Sequence, residues 1–395
     1  MSDLLAAFLR PSAARRVTPE AVILLIAVGL LVGLGLLMGF SASFVRSTAE
    51  TGDPFGVFRR QIVWALLGLI GMALAIRVDP HRWRTVSGHV LIVGLLLLAV
   101  VLVPAVGVEL GGARRWISLG AVTFQPSELL KILLPLYLAH ILARRWARVR
   151  HGDLHALLMP ALPLLAVLAV LVVLQPDLET ALLLITIGGV ILFTAGLPVR
   201  LLVLGGAIAG VFATVAITQV GFRMARISAW IDPSADPTNS GYQSMQGFLA
   251  LGSGGWLGAG LGQGRSKWLF LPNADTDFIF AIIGEELGLL GALGVLLLYL
   301  AIAIAGQRTA RYAADPFGRL LAVGVTAWIL LQASMNIASV VGLIPVTGVT
   351  LPLVSVGGTS LVVTMTGLGL LIAVARTARR PAPAPSSEDR KGVRR

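Results

Sequence analysis

Apolar runs of about twenty residues recur along the chain, separated by short polar or basic stretches, and a run of that length crosses a hydrocarbon core as a helix. Ten spans are predicted, near 21–45, 61–78, 88–108, 127–143, 156–174, 178–197, 200–219, 277–305, 320–343 and 355–376. The fourth contains Lys131, and only Gln175, Pro176 and Asp177 separate the fifth from the sixth. The first follows a polar segment carrying Arg10, Arg15 and Arg16, and is too long for the apolar core of a cleaved signal peptide. It is expected to stay in the protein. The pattern predicts an all-α polytopic membrane protein: a tail at 1–20, a ten-helix membrane domain over 21–378 and a second tail at 379–395.

Composition agrees. Of 395 residues, 56% are hydrophobic and 13% charged, against about a quarter charged in a soluble domain, and the mean hydropathy is +0.89. The 45 glycines suit close approach of membrane helices. Cysteine is absent, which excludes disulfides, thiolate metal sites and a cysteine nucleophile. Ten spans put both ends on one side. That side collects Arg10, Arg15, Arg16, the Arg144–Arg150 cluster and the basic second tail, which together with the shorter loops make up most of the 31 Lys and Arg residues. Basic residues accumulate on the cytoplasmic side, so both termini are expected in the cytoplasm. The net charge of +12 follows from this bias and calls for no nucleic acid. The tail RRPAPAPSSEDRKGVRR (379–395) has the composition of a disordered segment.

The unusual polar residues fall on the opposite, extracytoplasmic side. A long segment at 221–276 exceeds an ordinary connection, and its Trp230, Trp256 and Trp268 favour folding back toward the membrane. Its glycine-rich part lacks the GK[ST] that a nucleotide-binding loop requires. Next comes LPNADTDFIFAIIGEELG (271–288), with Asp275, Asp277, Glu285 and Glu286 at the head of an apolar run. A charge in hydrocarbon costs about 2.5–3.5 kcal/mol on insertion scales, so their retention asks for a reason. Asp277 and Glu285 lie eight residues apart, about 12 Å along a helix, too far for a close carboxylate pair. Glu128 and Lys131, three apart, share a helix face. Asp177 and Glu179 open the sixth span from the same side.

Each feature has two readings. Arg114 and Arg115 beside Trp116 fit interfacial anchors as well as a binding site. Glu128 and Lys131 fit a structural ion pair. Asp275 or Thr276 fits a helix cap, with Asp277 favoured by the helix dipole. Glu285 and Glu286 fit a tether for the outer loop. One physical argument favours function. An extracytoplasmic transferase has no ready supply of nucleotide-activated donors, so its substrate must carry its own leaving group. A lipid diphosphate does so, and Arg114, Arg115, Lys131 and Lys267 offer the charge to hold it. A carboxylate at that level can take the proton of an attacking hydroxyl.

Six co-linear stretches, GFSASF (39–44), ARRWISLGAVTFQPSELLKI (113–132), QPDLETALLL (175–184), DPTNSGYQ (236–243), LPNADTDFIFAIIGEELGLLG (271–291) and GLIPVTGVTLPLVSVGGTS (342–360), resemble the SEDS family of shape, elongation, division and sporulation proteins. The resemblance implies a ten-helix fold and polymerisation of peptidoglycan glycan strands from lipid II. It implies that Asp277 is the catalytic carboxylate. Arg115, Lys131, Glu128, Lys267, Arg114, Gln125 and Ser127 are then expected to bind substrate, while Glu285, Glu286 and Asp177 serve structure or conformation. GYQ (241–243) and the run 260–274 are similar to the FtsW-like branch, which acts in division, more than to the RodA-like branch of elongation. Asp275 and Glu179 depart from the family pattern, which has histidine and glycine there, and add negative charge beside the proposed site. The implied partners are lipid II, a class B penicillin-binding protein transpeptidase and other divisome membrane proteins. A divalent cation (Mg or Mn) sharing the diphosphate charge is an open option, with no all-protein metal site evident. A lipid II flippase and a non-catalytic scaffold are the competing functions; the position of the charges near the outer boundary disfavours the flippase.

Overall fold

A computed structural model describes residues 17–110, 112–120, 122–219 and 221–378. The predicted tail at 379–395, and most of that at 1–20, lie outside them. In chain order the elements are α1 (Pro19–Thr51), α2 (Gly56–Arg77), α3 (Pro80–Val100), β1 (Gly107–Leu110), β2 (Ala113–Leu119), β3 (Val122–Phe124), α4 (Pro126–Arg144), the short α5 (Trp146–Arg150) and α6 (Leu154–Leu158), α7 (Leu162–Val173), α8 (Leu178–Ala195), α9 (Val199–Thr218), α10 (Gly221–Ile231), a 3₁₀ turn (Pro233–Ala235), α11 (Tyr242–Ser253), α12 (Ile279–Tyr312), α13 (Pro316–Val340) and α14 (Gly358–Thr377). Among the described residues ten helical segments, α6 and α7 counting as one, are long and apolar enough to cross a membrane. The chain is a multi-pass membrane protein.

Several helices start where a short polar side chain precedes proline. Thr18 accepts from Ala21 N at 3.3 Å before Pro19, Asp79 from His81 N at 2.8 Å before Pro80, and Asp315 from Gly318 N at 3.1 Å before Pro316. The side-chain oxygen satisfies an N–H that the first turn leaves free, and proline there sacrifices no bond. The Asp79 cap corrects the third span, which begins at 80 and not near 88. The later part of the predicted span, Val101–Val106, instead forms turns leading to β1.

α14, α4 and α13 form the enclosed centre, while α9 buries none of its residues in the protein. α14 runs against α2 at close range: a Cβ on Gly369 would stand 2.7 Å from the Met72 carbonyl oxygen, so only glycine permits this approach. Thr18 Oγ1 donates to Ala375 O at 3.2 Å, which places the start of α1 beside the end of α14. Both described ends therefore share one face of the bundle.

Two features on the far face were not expected. The segment ahead of α4 is an antiparallel sheet of order β1-β2-β3, with Val108 opposite Trp116 and Ile117 opposite Phe124. The long segment 221–276 contains α10 and α11, and its Trp230 Nε1 donates to Gly342 O at 2.9 Å, tying it to the loop after α13. α12 is interrupted at Gly288 (φ 66°, ψ −166°). The break frees backbone groups that the loop takes up. Ala259 N and Gly260 N donate to the carbonyls of Glu285 and Glu286, and Leu289 N and Leu290 N donate to those of Gly255 and Trp256. Only a residue without a side chain fits at 288, where a Cβ would meet Gly258 N at 2.3 Å.

Candidate active site

The far face opens into a cavity of about 860 Å³. β2 contributes Arg115, Gln125 lies at the N-cap position before α4, and α4 contributes Glu128 and Lys131, while Asp177, Glu179 and Asp277 complete this wall. Of the adjacent arginines on β2 only Arg115 lines the cavity. Arg114 turns away to Glu109 at 3.6 Å. Ser127 is buried against Gln125, whose Nε2 donates to its hydroxyl at 3.0 Å, and does not line the cavity.

The polar groups are matched in pairs. Lys131 Nζ donates to Glu128 Oε1 at 2.6 Å, both side chains being nearly inaccessible, while Glu128 Oε2 has no protein partner. Asp177 caps α8 through Thr180 N at 3.1 Å and faces Arg115 at 3.7 Å. Arg115 also donates to the Pro176 carbonyl at 2.9 Å. The two carboxylates that depart from the family pattern each meet an arginine that the sequence reading did not single out. Asp275 takes both terminal nitrogens of Arg46, at 2.8 and 2.7 Å, and Glu179 takes Arg226 at 2.9 Å.

Asp277 has no such partner. It sits two residues ahead of α12, in a turn, and so neither caps nor opens that helix; Phe278 holds the cap position, without a side-chain cap. The expected cap by Asp275 or Thr276 is not formed. The turn is held by residues distant in sequence: Asn336 Nδ2 donates to the Asp277 carbonyl and to Val349 O, both at 2.8 Å, Ser355 Oγ donates to Thr276 O at 2.6 Å, and Val356 N donates to Asp275 O at 2.9 Å. Burial pushes the Asp277 carboxyl from 3.8 up to about 6. Asp275 and Glu179 add to the rise, while Arg226 and Arg115 oppose it. A lone carboxylate with a raised pKa between cationic groups can accept a proton near neutral pH.

Lys267, Glu285 and Glu286 lie elsewhere. Lys267 Nζ donates to Glu286 Oε1 at 2.8 Å and to Ser41 at 2.9 Å, and its side chain is 6% exposed. This corrects its expected place at the substrate: it is the buried counter-ion of Glu286, outside the cavity wall. Glu285 accepts from Arg265 N and Ser266 N at 2.7 and 3.2 Å, and Glu286 also accepts from Gly262 N at 2.9 Å. Together they bind the glycine-rich loop to α12 and α1. Among the described residues no group of three or more His, Asp and Glu side chains is placed to hold a metal ion.

Fold and cavity together define a polytopic membrane protein with a charged, partly enclosed site on the face opposite its ends. The model of the family described as cell cycle protein (FtsW/RodA/SpoVE) matches residues 22–380, and the chain belongs to that family. It is 44% identical over 337 residues to the probable peptidoglycan glycosyltransferase FtsW of Mycobacterium tuberculosis, an alignment covering 85% of this chain and 64% of that protein. The corresponding protein of Geobacter metallireducens is 39% identical, with 90% of this chain and 94% of the relative covered. The chain thus spans under two thirds of the mycobacterial relatives and nearly all of the Geobacter one. Among solved structures, Thermus thermophilus rod shape determining protein RodA matches with TM-score 0.64 and 33% identity, covering 91% of this chain and 97% of that one. A chain from a peptidoglycan synthase complex, solved for the coordination of polymerization and crosslinking, matches with TM-score 0.69 and 31% identity over 89% and 96%.

Proposed function

We propose that the chain is a peptidoglycan glycan-strand polymerase, an inverting glycosyltransferase that consumes lipid II at the extracytoplasmic face during septal wall synthesis. The observation that carries this reading is Asp277: a carboxylate without an ion-pair partner, raised to about 6, in a cavity walled by Arg115 and Lys131. The basic residues flanking the shared face of the two ends support a cytoplasmic location for them, which turns the cavity outward. Relatives named FtsW favour the division role over elongation.

In the proposed reaction the 4-hydroxyl of one lipid II attacks C1 of the sugar at the diphosphate end of the other. Asp277 takes the hydroxyl proton as the new C1–O bond forms. The bond from C1 to the diphosphate oxygen breaks, and the electron pair leaves with undecaprenyl diphosphate. Arg115 and Lys131 stabilise the charge that builds there. Attack opposite the leaving group inverts C1 and gives a β-1,4 linkage. The pairing of Lys131 with Glu128, and of Arg115 with Asp177, keeps both cations solvated by protein until a diphosphate competes for them. The donor set does not form a metal cage, so no step is assigned to one; a divalent cation would arrive on the diphosphate. A class B penicillin-binding protein is the proposed partner, and the likeness to a chain of a peptidoglycan synthase complex supports it.

The test is reconstitution. Purified protein with a matched class B partner, transpeptidation blocked, is given labelled lipid II, and products are resolved by size. Glycan strands sensitive to muramidase are expected; unchanged lipid II in the presence of a folded, bound partner contradicts the proposal.

A further inference from the structure

A glycan polymerase binds two lipid diphosphates at once, and the Arg115–Lys131 wall accounts for one. The rest of the cavity is lined by other elements, with Arg60 and Gln61 from α2 and Gly358, Thr359 and Ser360 from the start of α14. A helix start presents N–H groups without intrahelical partners and a partial positive charge. No side chain caps α14; Gln61 Oε1 accepts from the Gly357 N–H at 3.4 Å, and its Nε2 donates to Ser355 O at 3.5 Å. Gly358 packs against Trp64, where a Cβ would stand 2.2 Å from the indole. Thr359 is 5% exposed, and its hydroxyl has no hydrogen-bond partner. Of the two buried hydroxyls of α14 without a partner, Thr359 and Thr364, only that of Thr359 belongs to a residue lining the cavity. Arg46, Arg59, Arg115, Lys131 and Arg226 each meet a carboxylate, whereas Arg60, exposed at the cavity, meets none among the described residues.

We propose that this second pole, the first turn of α14 with Thr359 and Arg60, holds the diphosphate of the acceptor lipid. The inference rests on the polymerase reading above. Donor and acceptor make different demands. The donor's diphosphate departs and needs the cations that flank Asp277. The acceptor's diphosphate stays intact and needs only binding, for which backbone N–H groups, a hydroxyl and one arginine suffice. The loop that leads into α14 also carries Ser355 and Val356, which bond the Thr276 and Asp275 carbonyls. The acceptor's anchor and the base that deprotonates it are thereby joined by one segment.

The full chain in nanodiscs tests this with undecaprenyl diphosphate as probe, its binding counted by native mass spectrometry, and with a preformed lipid-linked oligosaccharide as donor in rate assays. Wild type and Thr359→Ser should bind two equivalents; Arg60→Gln and Thr359→Val should bind one. The variants should raise KM for acceptor lipid II about tenfold, the loss expected of one charge-assisted hydrogen bond, with KM for the donor unchanged. Two equivalents in every variant, an equal rise in both KM values, or displacement of the second equivalent by phosphatidylglycerol overturns the proposal. The binding count reads this pole without catalysis, so a wild type that binds two equivalents and makes no polymer defeats the polymerase reading and not the subsite.

Discussion

Replacing Asp277 by asparagine removes a charge that the fold holds at a cost. The carboxyl rises from 3.8 to about 6 in the folded protein, chiefly through burial, and at 1.36 kcal/mol per pKa unit this amounts to about 3 kcal/mol. The sign follows from proton binding. Between 3.8 and about 6 the folded state holds a proton that the unfolded state has released, so stability falls as pH rises through that window. The full cost is present above about 6 and absent below 3.8. Asparagine has nearly the same shape and never ionises. Asp277→Asn is therefore expected to be more stable than wild type by about 3 kcal/mol at pH 7.5, a gain of several degrees in thermal midpoint, with the gap closing near pH 4. Intrinsic fluorescence melts of both proteins in one detergent, at one scan rate, from pH 4 to 8, measure this. Equal midpoints at pH 7.5, or a gap that persists at pH 4, would refute the reasoning. A site residue whose removal stabilises the protein is one held for its chemistry.

The same shift predicts an acid limb in polymerase activity, with kcat/KM rising through about pH 6 as Asp277 ionises. Asp275→Asn should move that limb to lower pH, since Asp275 helps hold the proton on Asp277; an unmoved limb in a rate–pH profile counts against the assignment. Lys267→Met leaves Glu286 buried and unpaired and should cost about 3–5 kcal/mol, most of it recovered on adding Glu286→Gln; denaturation of the single and double variants decides. Asn336→Ala removes the donor to the Asp277 and Val349 carbonyls, and should cost about 1–3 kcal/mol while lowering kcat with lipid II binding unchanged.

The spans were legible because each is a long apolar run, and a run of that length has few alternatives in a membrane. The third was displaced by about two helical turns because Val101–Val106 is as apolar as a helix; Asp79-Pro80, a cap followed by proline, was the signal that fixes its start. The β-sheet before α4 was hidden by its length and by its basic residues, which read equally well as interfacial anchors. The six motifs led to the family. Asp277 was legible in them as a residue, but its turn was not: the backbone is held by Asn336 and Ser355, far away in sequence. Lys267 was misplaced for the same reason. In sequence it is one more cation near the site, and only the folded loop, stapled at Gly288, brings it to Glu286. The charges that pair with Asp275 and Glu179 belong to α1 and α10, and no local pattern announces Arg46 or Arg226 as their partners.

The central claim is that Asp277 is the base of a glycan polymerase. The measurement that tests it most directly compares wild type and Asp277→Asn, each bound to its class B partner, in polymerisation of labelled lipid II with transpeptidation blocked. The account predicts long glycan strands from wild type and none from a variant that is folded, partner-bound and at least as stable. Strands of equal yield from both would remove Asp277 from the chemistry and contradict the account.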